Sequence, residues 1–111
     1  MFRHRNLFRG SLPRTLTKVY PHNAAQNGVV SFSFADVVNS GDEEAYVYLF
    51  VVPNGEVADW RYAKAGGSVV PARGSYQWTG FEIMETTGDS IWAYGTGGSL
   101  VSLTCNGGAL L

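Results

Sequence analysis

Gly67-Ser-Val-Val-Pro-Ala-Arg-Gly-Ser-Tyr-Gln-Trp-Thr-Gly-Phe-Glu-Ile83, Gly88-Asp-Ser-Ile-Trp-Ala-Tyr-Gly-Thr-Gly-Gly98 and Ser99-Leu-Val-Ser-Leu-Thr-Cys-Asn-Gly-Gly108 follow one another almost without a break. They read as three short strands separated by glycine-rich turns. Ile91 and Ala93 suit a core and leave Trp92 and Tyr94 on the opposite face. Val101, Leu103 and Cys105 alternate with Ser102 and Thr104, which marks a half-buried strand, and Gly95–Gly98 reads as the hairpin connection between the two.

Upstream the same period recurs. Val29-Val-Ser-Phe-Ser-Phe-Ala35 places Val30, Phe32 and Phe34 on one face and Ser31 and Ser33 on the other. Asn39-Ser-Gly-Asp42 turns the chain into Ala45-Tyr-Val-Tyr-Leu-Phe-Val-Val52, which is apolar on both faces. Such a strand is either central and covered on both sides or has one face covered by another chain. Thr15–Tyr20 reads as a first strand stopped by Pro21 and the turn-forming residues 23–28. The stretch 57–63 is a short edge strand or an irregular connection with Trp60 and Tyr62 on one side. No stretch sustains a helical period, so the expected fold is all-β: a two-sheet antiparallel β-sandwich, jelly-roll or Ig-like, of seven or eight strands.

The 111 residues suffice for one domain with one core. Charged residues make up 15% and aromatics 14%, so polar covering is scarce and part of the surface is expected to be buried by a partner. The net charge of −1 conceals a division: Arg3, Arg5, Arg9, Arg14 and Lys18 give the first 18 residues +5, whereas the remainder sets three cations against nine acids, a net −6. Residues 1–14 alternate basic and apolar groups before Pro13. They are expected as an extended basic arm reaching about 45 Å, dispensable for folding, beside a sandwich domain at 15–111. No run of 18 apolar residues and no apolar secretory core is present, so neither a membrane partner nor general-pathway secretion is expected.

Chemistry has little raw material. With His4 and His22, the single Cys105, and no Cys-x-x-Cys or His-x-His, neither a metal site nor a catalytic dyad is expected, and no cofactor. Cys105 reads as a small buried hydrophobe and His22 as a turn residue. Glu82, Glu85 and Asp89 are close enough to be weighed as a glycosidase pair, but acids around Thr86-Thr-Gly-Asp89 fit turn caps better. The acids from Asp36 to Glu44 lack calcium-loop spacing. Gly95–Gly98 is followed by a strand and not by the helix a phosphate loop needs. The arm has the composition of a phosphate-binding or mitochondrial targeting segment, yet the acidic body opposes nucleic acid. Catalytic residues are therefore none, and an enzyme is not expected.

The surplus of aromatics carries more weight. Trp92 and Tyr94, one face of Tyr46, Tyr48 and Phe50, and Trp60 and Tyr62 exceed what one small core absorbs, so they are either covered by the second sheet or form a subunit contact, with a sugar platform as a third reading. Of these Tyr46, Tyr48, Trp60, Trp92 and Tyr94, together with Phe2, Arg3, Arg5, Phe8, Arg9 and Arg14 of the arm, are the candidate interface. The segments Tyr46–Pro53, Val69-Val-Pro-Ala-Arg-Gly-Ser75, Glu85-Thr-Thr-Gly-Asp-Ser-Ile-Trp-Ala93 and Leu100–Gly107, in that order, resemble small β-sandwich virion structural proteins of tailed bacteriophages over about residues 15–107. The chain departs from that pattern at Tyr20-Pro-His-Asn23 and in its Arg-rich start. The resemblance implies a non-enzymatic capsid decoration or cement protein, or a neck, tail or fibre-attachment subunit. It further implies location in a virion assembled in the host cytoplasm, a homo-oligomer, and other virion proteins as partners; a carbohydrate-binding module is the alternative of another class.

Overall fold

The computed structural model describes residues 2–110, Phe2 by its backbone alone. Its strands are β1 (Phe2–Ser11), β2 (Thr17–Pro21), β3 (Val29–Asn39), β4 (Ala45–Val52), β5 (Ala63–Val70), β6 (Ser75–Met84), β7 (Ser90–Gly95) and β8 (Val101–Leu110); a single helical turn, α1 (Ala24–Asn27), lies between β2 and β3. Sheet I has the order β1-β8-β3-β6 and sheet II the order β2-β7-β4-β5. The pairs β1/β8, β2/β7, β3/β6 and β4/β5 are all antiparallel, so the chain is one long hairpin ribbon folded over itself. The β3/β8 and β4/β7 pairs close each half into a sheet. This is the eight-stranded jelly-roll form of the sandwich.

The core lies between the sheets. Sheet I contributes Val30, Phe32, Ala35, Val37, Val101, Leu103 and Cys105; sheet II contributes Val47, Leu49, Ala65, Val70, Ile91 and Ala93. The alternations of β7 and β8 fall as their sequence requires. Burial pushes the Cys105 thiol up to about 12, as an apolar environment does to a group that would otherwise ionise.

Five local expectations are revised. Phe34 leaves the core face because Ser33 is an extra residue opposite β8, while β6 sets Gly80 and Phe81 opposite Ser33; this irregularity reverses the alternation, so Ala35 and Val37 point inward after Phe32. The stretch 67–83 is the end of one strand and all but the last residue of another, because the turn at 71–74 places Arg73 at a positive φ of 55° and Gly74 N–H donates to Pro71 O. Gly95–Gly98 is not a hairpin, since β7 and β8 belong to different sheets and the loop crosses between them. Gly95 is required there by space: a Cβ would meet Tyr46 O at 2.2 Å. The first expected strand begins two residues later, at Thr17, and includes Pro21, which the outer edge of sheet II tolerates.

The fifth revision is the largest. Residues 2–11 are extended, but as the edge strand of sheet I, hydrogen-bonded along β8 from Phe2↔Leu110 to Ser11↔Ser102. Leu7 and, just beyond the strand, Leu12 are buried in the core. Arg5 reaches across the open side of the sandwich to donate to Asn27 Oδ1 at 2.6 Å. The arginines that suggested a free arm instead guard a sheet edge, where charge discourages pairing with another strand. On the opposite side a Lys64–Glu82 ion pair ties β5 to β6.

Candidate functional site

The outward face of sheet II gathers the aromatics. Across the β4/β7 pair, Tyr48 stands opposite Tyr94 and Phe50 opposite Trp92. The Tyr48 and Tyr94 rings stack at 4.5 Å with planes 3° apart, and Phe50 continues the row at 6.2 Å from Tyr94. Lys18, opposite Trp92 on β2, places its Nζ 5.5 Å from the indole centroid. Trp92 Nε1–H donates to Ser90 Oγ at 2.8 Å. At the far end Tyr46 stands opposite the exposed Val69. None of these rings lies under sheet I, which covers the other face.

β5 turns this row into a cleft. It sets Gly66 opposite Tyr48 and Ala63 opposite Phe50, so two nearly side-chain-free positions adjoin two large rings. Two bulges on β5 produce this register: Gly67, at a φ of 81°, is the extra residue of the first and Lys64 of the second. The resulting cleft, about 450 Å³, is walled by Leu16 and Trp60. Trp60 belongs to a 3-10 turn, Trp60–Tyr62, capped by Asp59, whose carboxylate accepts from Arg61 N–H at 3.0 Å. Its indole is 84% exposed, an unusual state for the largest apolar side chain in a monomeric domain.

Charge on this face is internally tied. The Arg61 guanidinium pairs with Asp59, holding that carboxyl below its usual range. Tyr62 Oη–H donates to Glu56 and Tyr46 Oη–H to Glu44, each at 2.7 Å, and these hydrogen bonds raise both phenols. The face offers ring-rich contact area in which two cations, Lys18 and Arg61, are interspersed with the carboxylates of Asp59, Glu56 and Glu44.

The candidate interface residues thus divide. Tyr46, Tyr48, Trp60, Trp92 and Tyr94 come together on sheet II. Arg3, Arg5, Phe8 and Arg9 lie on β1 of the other sheet, with Phe8 packed against the core, and the Arg14 guanidinium occupies the space where a side chain on Gly98 would begin. The Phe2 side chain lies outside the described residues. The exposed Leu16 and Val69 border the row, and Phe50, itself buried, forms part of the cleft floor. Val69 was legible only through the β4/β5 register, and Leu16 has no periodic signal because it precedes its strand.

The groups weighed for chemistry are occupied structurally. Asp89 accepts from the backbone N–H of Asn54, Glu85 and Thr86, capping its turn, and Glu82 pairs with Lys64. His22 is buried between Tyr20 Oη at 3.0 Å and Gly28 O at 2.8 Å, fastening the loop around α1. Among the described residues no three metal-ligating side chains converge, and no helix is long and apolar enough to cross a membrane.

No protein-family model and no curated protein matches the chain. Among solved structures, a chain described under "Bacillus endospore appendages form a novel family of disulfide-linked pili" is similar over 98% of this chain and 87% of its own, at 13% identity and a TM-score of 0.49.

Proposed function

We propose that the protein is a non-enzymatic structural subunit that packs through the outer face of sheet II onto neighbouring subunits of a larger particle. In its specific form this is decoration or cement on the head of a tailed bacteriophage, with a neck, tail or fibre-attachment position as the variant. The observation that carries the reading is the contiguous aromatic surface from Tyr46 to Trp60, which the fold builds outside its core and leaves partly exposed. Buried aromatic anchors dominate subunit interfaces, and a jelly roll that devotes a whole sheet face to them has a surface suited to a partner. The phage assignment rests on the sequence resemblance alone.

Quantitative mass spectrometry of purified particles tests it. Hundreds of copies relative to the major capsid protein fit decoration, about a dozen fit neck or tail, and absence from particles overturns the virion reading. Particles grown with the Tyr48→Ser/Tyr94→Ser variant are expected to lack the protein. The ring-floored cleft favours a second reading, a sugar-binding platform, for which specific glycan-array hits abolished by Trp60→Ala are the decisive result.

A further inference from the structure

We infer that the sheet II face closes on a second copy of this chain across a two-fold axis, with Trp60 of each protomer seated in the cleft of the other. The inference rests on the assembly reading above and names its first partner. Knob and hole lie side by side on one surface: Trp60 projects at 84% exposure, and the cleft of about 450 Å³ that it borders is floored by Tyr48, Phe50 and Tyr94 and left open by Gly66 and Ala63. A surface carrying both halves of a contact next to each other satisfies the condition for an isologous interface, in which residue i meets residue j and j meets i.

Electrostatics selects this face over the others. Two-fold pairing brings each charge toward its own copy, so a face with a dominant sign repels itself. The β1 edge, with Arg3, Arg5 and Arg9, is such a surface. On the sheet II face the cations Lys18, over Trp92, and Arg61, paired with Asp59, stand against Asp59 and the hydrogen-bonded carboxylates Glu56 and Glu44, so neither sign dominates. A nucleic acid or an acidic peptide finds no free cationic cluster there, whereas an identical aromatic face of mixed, nearly balanced charge meets little repulsion. The stacked Tyr48–Tyr94 floor also holds its rings in place before contact, which lowers the entropy lost on association.

Sedimentation equilibrium of the full chain across a concentration series is the test, with two variants chosen to leave the fold intact. Trp60→Ala removes an exposed knob. Gly66→Leu blocks the hole, and a Cβ at Gly66 meets nothing within 4 Å of its own chain at an ordinary φ. The full chain is expected to reach a dimer and stop. Each variant should dimerise at least about tenfold more weakly, as loss of a central aromatic anchor does, with unchanged far-ultraviolet circular dichroism. A chain that stays monomeric, one that grows past two, or a dimer indifferent to both substitutions overturns the two-fold contact. A monomeric chain that still enters particles, and fails to do so as Tyr48→Ser/Tyr94→Ser, overturns only the second-copy partner and leaves the assembly reading in place.

Discussion

The two sheets of this sandwich have similar inner faces and opposite outer ones. Along the outside of sheet I run Asp36, Gln77, Ser102, Thr104 and Asn106, brought side by side by the β3, β6 and β8 registers, with the aliphatic Val38 and Ile83 exposed among them; along the outside of sheet II run the rings of Tyr46, Tyr48, Phe50, Trp92 and Tyr94. Folding alone explains the first arrangement, since an antiparallel sheet with one wet face alternates apolar and polar residues. It does not explain the second. Partly exposed rings outside the core cluster add less to stability than the residues sealed between the sheets, so the difference separates what the sequence spends on stability from what it holds for contact.

The sharpest way to break that division is to remove β1. A free arm could be deleted without consequence, but β1 caps the edge of sheet I, buries Leu7 and leads into Leu12. Deletion of residues 2–11 exposes the whole edge of β8, and the loss is expected to match or exceed the roughly 5–15 kcal/mol that holds a domain of this kind together. Calorimetry should find no cooperative transition near that of the full chain. An unchanged melting temperature would sink the placement of β1 in the sheet.

Next in size is the shared inner face. Leu103→Ala opens a cavity opposite sheet II at a fully buried position and should cost about 2–5 kcal/mol in urea or thermal unfolding. Particle or dimer contacts of whatever folded protein remains should be unaffected, because Leu103 is sealed from the surface. The reverse pattern is expected for Tyr48→Ser/Tyr94→Ser. Their stack contributes about 0.5–1.5 kcal/mol beyond area burial, a modest stability loss, yet association should vanish. If stability and association fell in proportion across these two variants, the two faces would not have separate tasks.

Much of this was legible in the residues. The alternations in β7 and β8 fixed which side of each strand is inside, and the outward placement of Trp92 and Tyr94 followed from the inward placement of Ile91 and Ala93. Period-two reasoning failed at Ser33, because a bulge adds one residue without any compositional mark and reverses every side chain after it. It failed again at residues 2–11, where the arginines that resemble a solvated arm are the same residues that protect an edge strand. The cleft could not be read from sequence, because it exists only where the β4/β5 register sets Gly66 and Ala63 beside Tyr48 and Phe50.

The smallest expected effect is also the control on which the contrast depends. Ser102 and Thr104 alternate outward on β8, opposite Val38 and Asp36 of β3, and no side-chain hydrogen bond from either holds the fold. Substituting both by alanine removes two hydroxyls from water-facing positions, for which changes within about 0.5 kcal/mol are usual. It also raises the apolar content of sheet I's outer face without giving it an anchor. If aromatic anchors and not general apolarity govern contact, the double variant should unfold, sediment and enter particles as the unaltered chain does. A gain of self-association in the double variant, seen as a mass shift at matched concentration, would mean that the polar row of sheet I suppresses a second interface, and the two outer faces would then differ in degree and not in kind.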